Sequence, residues 1–279
     1  MTTRLIGALA GTCALVALLI ASLAPGAFAQ GSLPKLSLKL SSSSISAEGS
    51  MQSGAVNVVV TNKTKGEAST ILFRLNPGVS EEEVMKFLHS KAAQDANAAG
   101  AYGAIVLSVE SAPGKTVEAQ ASLAPGEYLA LGAPGHGPPK LADRFSVAAA
   151  ASPMALPKPA ATVSAIEFGF RGPTTLKVGQ LVRFKNAGYL VHMDIAFPVK
   201  SKAAAQDAAK GLRSGNEKGL NKLIAGPPIS FTGPVSHGAV QQEKITAKPG
   251  WYVQVCFMET QDGVPHTRLG MERVIQIVK

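Results

Sequence analysis

Apolar and polar residues alternate from Leu36 to Thr61, first as Leu-Ser-Leu-Lys-Leu and later as Ala-Val-Asn-Val-Val-Val-Thr. A period of two marks strands with one buried face, and the polar stretches Ser41–Ser44 and Glu48–Gly54 supply the turns between them. Ile71–Leu75 reads as a further strand, ended by Asn76-Pro77-Gly78. Ser80 followed by Glu83 has capping-box spacing, which predicts a helix through Val84, Phe87 and Leu88 towards Ala96. Ile105–Glu110, Lys115–Ser122 and Glu127–Leu131 return to the strand pattern. Ala148–Ala161, rich in alanine and proline, interrupts it and reads as a linker.

The pattern then recurs at one constant spacing. Adding 124 carries Asn62 to Asn186, Phe73 to Phe197, Lys86 to Lys210 and Leu88 to Leu212. Pro125-Gly126-x-Tyr128 moves by the same 124 to Pro249-Gly250-x-Tyr252. Each identity is weak alone; their shared register implies two copies of one strand-dominated unit with an inserted helix. In the second copy that helix is expected over Lys202–Leu212, with an extension to Ile224 open. The expected organisation is residues 30–147, a linker at 148–161, and residues 162–279. The fold class is all-β with inserted helices, as two β-sandwiches in tandem.

Residues 1–29 stand outside this pattern. Arg4 precedes an apolar run from Leu5 to about Leu23, Pro25-Gly26 breaks it, and Ala27-Phe28-Ala29 offers a signal-peptidase site. An uncleaved anchor is the rival reading, since the run approaches the roughly 20 residues that span a bilayer. Cleavage is favoured by the position of the Ala-x-Ala, and the chain is expected to be exported: periplasmic, extracellular or at the cell surface. No later run is apolar for long enough to span a membrane. The formal charge of +9 is spread over single Lys and Arg residues without aromatic interleaving, which argues against a nucleic-acid groove and leaves acidic partners or anionic lipid as attractions.

Export changes the meaning of the cysteines. Cys13 leaves with the signal, so Cys256 has no disulfide partner in its own chain and is reactive, intermolecular or metal-bound. It opens the stretch Cys256-Phe-Met-Glu-Thr-Gln-Asp-Gly-Val-Pro-His266-Thr-Arg-Leu-Gly-Met271, which sets a thiol, an imidazole and a thioether in order around a Gly/Pro turn. Soft sulfur with imidazole suits copper better than calcium or magnesium. Shifted back by 124, Cys256 falls on Gly132 and His192 on Ala68; His266 and Met271 would fall on Ala142 and Val147. The first copy therefore lacks all four. His89, His136 and His237 read as surface residues, and Glu259, Gln261 and Asp262 as loop structure.

Val182-Arg-Phe-Lys-Asn-Ala-Gly-Tyr-Leu-Val-His192, together with Tyr252-Val-Gln-Val-Cys256, His266 and Met271, resembles the cupredoxins, the family of blue copper proteins. The resemblance covers roughly residues 160–279, with the first copy a weaker relative. It implies a Greek-key β-sandwich holding one copper by His192, Cys256, His266 and a long contact from Met271. It also implies electron entry through His266 as the more exposed imidazole, beside Val264 and Pro265, and a redox partner protein. Two features depart from the family. Nine residues separate Cys256 from His266, and Met193 stands where the family often has asparagine. A copper enzyme of the nitrite reductase or oxidase type and a metal-free interaction protein stay open beside the electron carrier. The oligomeric state is not legible.

Overall fold

In the computed structural model, residues 32–279 are described, apart from His136 and Glu217. The expected signal segment, residues 1–29, lies outside them, as does the expectation for His136. The first half carries strands β1 (Lys35–Leu40), β2 (Ile45–Gly49), β3 (Gly54–Asn62), β4 (Ala68–Leu75), β5 (Gly103–Ser111), β6 (Thr116–Leu123), β7 (Gly126–Pro134) and β8 (Leu141–Val147), with helix α1 (Glu81–Leu88) after β4. The second carries β9 (Ala161–Ile166), β10 (Gly169–Arg171), β11 (Thr175–Lys177), β12 (Leu181–Asn186), β13 (His192–Val199), β14 (Ile229–Val235), β15 (Val240–Lys244), β16 (Gly250–Val255) and β17 (Glu272–Val278). Helices α2 (Lys202–Ser214) and α3 (Leu220–Leu223) lie between β13 and β14. The chain is thus mostly β with inserted helices, and no described helix is long and apolar enough to cross a membrane.

Two sheets face each other in each half. In the first they run β6-β3-β1-β2 and β5-β4-β7-β8; in the second, β10-β9-β12-β15 and β11-β17-β16-β13-β14. The alternation read from the sequence is what fills the space between them. Leu36, Leu38 and Leu40 on β1 and Val56, Val58 and Val60 on β3 all point inward and form one core with Leu72, Leu107 and Tyr128. Val163, Val182, Phe184, Phe231, Tyr252 and Ile275 form the corresponding core of the second half.

The recurrence at 124 extends to hydrogen bonds. Asn62 Nδ2 donates to the carbonyls of Gly66 and Ser111, and Asn186 Nδ2 to those of Leu190 and Val235, while each Oδ1 accepts the N–H two residues on. Tyr128 Oη donates to Ala124 O, and Tyr252 Oη to Lys248 O. One expected correspondence is different. Tyr128 pairs with Phe145 and Tyr252 with Ile275, so by the last strand the spacing has become 275 − 145 = 130. Met271 therefore matches Leu141, not Val147, and His266 lies in a loop six residues longer than its counterpart, with no equivalent upstream.

Both helices end before their apolar pattern does. After Leu88, His89 Nδ1 bonds Met85 O at 2.8 Å and Ser90 Oγ donates to Phe87 O at 2.7 Å, taking carbonyls that a longer helix would need. The expected continuation to Ala96 is replaced by two 3-10 segments, Lys91–Gln94 and Ala96–Ala101. Helix α2 stops at Gly215, whose φ of +69° is left-handed, so it does not run on to Ile224. Strand β8 was not expected; its Leu-Ala-Asp-Arg-Phe-Ser-Val sequence offers few large apolar residues.

The halves are joined along their edges. Strand β15 pairs antiparallel with β6 at Gln241–Ala121 and Gln242–Gln120, which merges one sheet of each half into a single eight-stranded sheet. On the other side β5 and β14 approach so closely that a Cβ at Gly233 would collide with Ser108 Oγ. The segment between the halves is bonded to both: Met154 O accepts from Ala55 N at 2.8 Å, and Pro157 O from Gln242 Nε2 at 3.2 Å.

Candidate metal centre

The fold brings three of the four expected residues to one point and packs the fourth beside them. His192 opens β13, and Cys256 follows the last residue of β16, its neighbour in the sheet. The loop after Cys256 turns at Gly263, returns to donate His266 N to Met258 O, and continues so that Met271 N donates to His266 O and Cys256 N to Met271 O. The Gly/Pro turn thus folds the nine-residue gap back onto its own start.

Cys256 Sγ lies 3.8 Å from His192 Nδ1 and 3.5 Å from His266 Nδ1. Metal–thiolate and metal–imidazole bonds of about 2.3 and 2.0 Å, meeting at tetrahedral to trigonal angles, separate sulfur and nitrogen by roughly 3.5–3.7 Å. The three donor atoms are therefore spaced as ligands of one ion, and all lie within 4.8 Å of one another. Met271 is wholly buried and packs in the same cluster as Cys256, with Ala165, Phe170, Met193 and Met258 around it. The donor set is two imidazoles and a thiolate with a neighbouring thioether, which suits copper.

Burial sets the charge states. His192 is lowered to about 4 by desolvation, with the nearby His266 adding to the effect and Glu167 opposing it. His266 is also lowered by burial. Burial pushes the Cys256 thiol up to about 12, against the N–H groups of Met193 and Met258 that favour the thiolate. Both imidazoles are thus held neutral, the form that binds metal, and the thiol keeps its proton unless a cation replaces it.

His266 is 0% exposed, so it is not the accessible imidazole that the family resemblance implied. The ring of Phe168, at the tip of the β9–β10 hairpin, meets it edge-on at 5.4 Å between centroids and covers it. What reaches solvent instead is the surrounding rim, where Phe168, Val264 and Leu269 are exposed. Both Nε2 atoms are buried without a hydrogen-bond partner, so packing orients the rings. His237 and His89 are exposed, as expected; His237 Nδ1 bonds Gly188 O at 2.7 Å, and its ring stacks on Tyr189. Glu259, Gln261 and Asp262 are exposed in the turn.

Sequence reasoning missed the residues that hold the His192 loop. Gly188 N donates to Asn186 Oδ1, and the N–H groups of Tyr189 and Leu190 converge on Glu167 Oε1. Asn186 stood out only as a recurring position, and an acidic residue 22 positions upstream carries no local signal. A Cβ at Gly188 would stand 2.7 Å from His192 Nε2 and 2.8 Å from Glu167 Oε1. Gly188→Ala is therefore expected to displace the ring and weaken copper(II) binding about tenfold or more, as disturbed supporting shells do. Competition against a chelator measures this, and an unchanged affinity would refute it.

Among the described residues the first half gathers no such set of donors. At the place of Cys256, Gly132 has Leu40 Cδ1 2.5 Å and Ile45 Cδ1 3.4 Å from where a Cβ would stand.

No protein-family profile and no curated protein sequence matches the chain. Among solved structures it is similar to auracyanin B, with 19% identity, a TM-score of 0.27, and coverage of 44% of this chain and 93% of that one. Auracyanin A of Chloroflexus aurantiacus, described as a "blue" copper protein, gives 23% identity and a TM-score of 0.25 over 42% and 95%. A multicopper oxidase spans 87% of both chains at 12% identity and a TM-score of 0.21. Likeness at this level carries no weight alone; the donor geometry does.

Proposed function

We propose that this chain is an exported blue copper protein that passes single electrons, in which His192, Cys256, His266 and the neighbouring Met271 would hold one copper. The observation that carries the reading is the convergence of three buried donor atoms from two strands and a loop, both Nδ1 atoms within 4 Å of one sulfur. Copper bound there would supply a one-electron couple. The chain's own part is to keep that site dry and to hold its ligands in one geometry in both oxidation states, so that little has to move when the charge changes. The exposed rim of Phe168, Val264 and Leu269 gives a redox partner an apolar approach to His266, and the formal charge, 9 − 1 = +8 once Arg4 leaves with the leader, favours an acidic one. Export rests on the leader and its Ala27-Phe28-Ala29 site.

Copper(II) added to the metal-free protein is expected to bind at one equivalent per chain and to produce an intense visible thiolate-to-copper absorption. Cys256→Ser removes the thiolate and with it the band. A chain that stays colourless at saturating copper(II) would rule out this function.

A further inference from the structure

The ligand-free half reaches into the metal centre of the other. Its 3-10 segment Ala96–Ala101 lies against the two ligand loops, where Ala96, Ala98, Ala99 and Phe87 share a cluster with Val191 and Met258. Within it Asn97 Oδ1 accepts the N–H of Val191, the residue before His192, at 2.7 Å. Asn97 Nδ2 donates, at a longer 3.4 Å, to the carbonyl of Glu259, three residues beyond Cys256. One amide thereby ties the loop of the first imidazole to the loop of the thiolate.

The orientation of that amide follows from its partners. Asp95 Oδ1 accepts from Asn97 N at 2.9 Å and from Asn97 Nδ2 at 2.8 Å, so the NH2 side faces the carboxylate. A backbone N–H such as that of Val191 can be met only by the oxygen. The contact also completes the His192 loop. Ala187 N donates to Ala165 O, and the N–H groups of Gly188, Tyr189 and Leu190 are taken by Asn186 and Glu167, all in the second half. Val191 alone in this run depends on the first half. In the equivalent loop there, Lys63–Glu67, every residue but Thr64 is exposed.

We propose that Asn97 is a positioning residue for the metal centre, through which the ligand-free half holds the His192 and Cys256 loops at their binding separation. The metal part rests on the proposed copper site; the anchor itself can be observed without metal.

The test compares wild type with N97A and N76A. Asn76 Nδ2 holds the same segment through the carbonyls of Gly100 and Ala101 but bonds neither ligand loop. In the metal-free protein, N97A should speed amide hydrogen exchange at Val191 roughly fivefold to tenfold, as expected for one lost hydrogen bond. In copper(II)-loaded protein it should speed metal release to a chelator about tenfold and shift the visible band. N76A should leave all three readings near wild type. Unchanged Val191 exchange in N97A, or N76A matching N97A throughout, would overturn the proposal. Faster exchange with unaltered copper release and band would overturn the positioning role. A wild-type chain that takes up no copper(II) while N97A alone accelerates Val191 would uphold the anchor and remove the copper reading.

Discussion

Copying two ligands into the first half, as Ala68→His with Gly132→Cys, is expected to destabilise that half and to create no second metal centre. A side chain at Gly132 meets Leu40 Cδ1 at 2.5 Å and Ile45 behind it, both fully or nearly buried. Overpacking of this kind costs about 1–3 kcal/mol. Ala68 is also buried in that core, and an imidazole placed there brings ring nitrogens with no partner, at about 1–3 kcal/mol more. The residues are neighbours, so the sum is approximate, but even the lower end takes a large share of the roughly 5–15 kcal/mol that holds a domain together. Urea unfolding monitored with copper stoichiometry checks this. A double variant of wild-type stability that binds two coppers would show that the upstream core can yield, and that its lack of a site has another cause.

The second large effect concerns a carboxylate buried in the ligand-bearing half. Glu243 pairs with Val182 on the face of β15 that also buries Gln241 and Ile245, so it points between the sheets. The residue as a whole is only half-buried, yet its Oε1 is enclosed and has no hydrogen-bond partner. Desolvation, with the nearby Asp194 carboxylate adding to it, raises its pKa well above the ordinary glutamate value. Asp194 is better provided for: Gln254 Nε2 donates to both its oxygens at 2.6 and 2.8 Å, and Arg273 holds Gln254 in turn. A folded-state pKa above the unfolded one, about 4.3, means that the native protein binds the proton more tightly. Stability is therefore lost as pH rises between the two values, and the cost is complete above the folded pKa. Glu243→Gln removes the titration. At pH 8 it is expected to stabilise the protein by about 2 kcal/mol, the scale of an unpaired buried charge. For a chain of this size that is about 4–8 °C in melting temperature, and the gain should vanish towards pH 4. A variant with the same melting temperature as wild type at both pH values would contradict it.

Much of the architecture was legible because it is local or recurrent. Period-two alternation gave β1 and β3, and the 124 spacing set Gly132 and Ala68 against Cys256 and His192. The side chains that the fold gathers stood out for the same reason: Cys256, His266 and Met271 follow one another in the chain, and His192 sits where the recurrence puts an alanine. The failures are of a different kind. The helix beyond Leu88 looked continuous, but His89 and Ser90 spend their side chains on its last carbonyls. The added residues between Cys256 and Met271 displaced a correspondence that only strand pairing could fix. The cover over His266 comes from Phe168, about a hundred residues upstream, and the bond to Val191 from Asn97 spans 94 positions. Contacts of that range leave no period, spacing or composition to read.

The edge-to-edge pairing of β6 with β15 has a consequence for ancestry and for dissection. The two strands occupy matching places in their halves, so the contact is of the self-complementary kind by which two identical subunits would meet about a dyad. The chain is in effect built like a tethered dimer. Severing the strap at 148–161 and expressing residues 162–279 alone would bare the edge of β15, and a bare edge recruits another strand. The excised half is then expected to pair with a second copy of itself, losing Asn97 in the exchange.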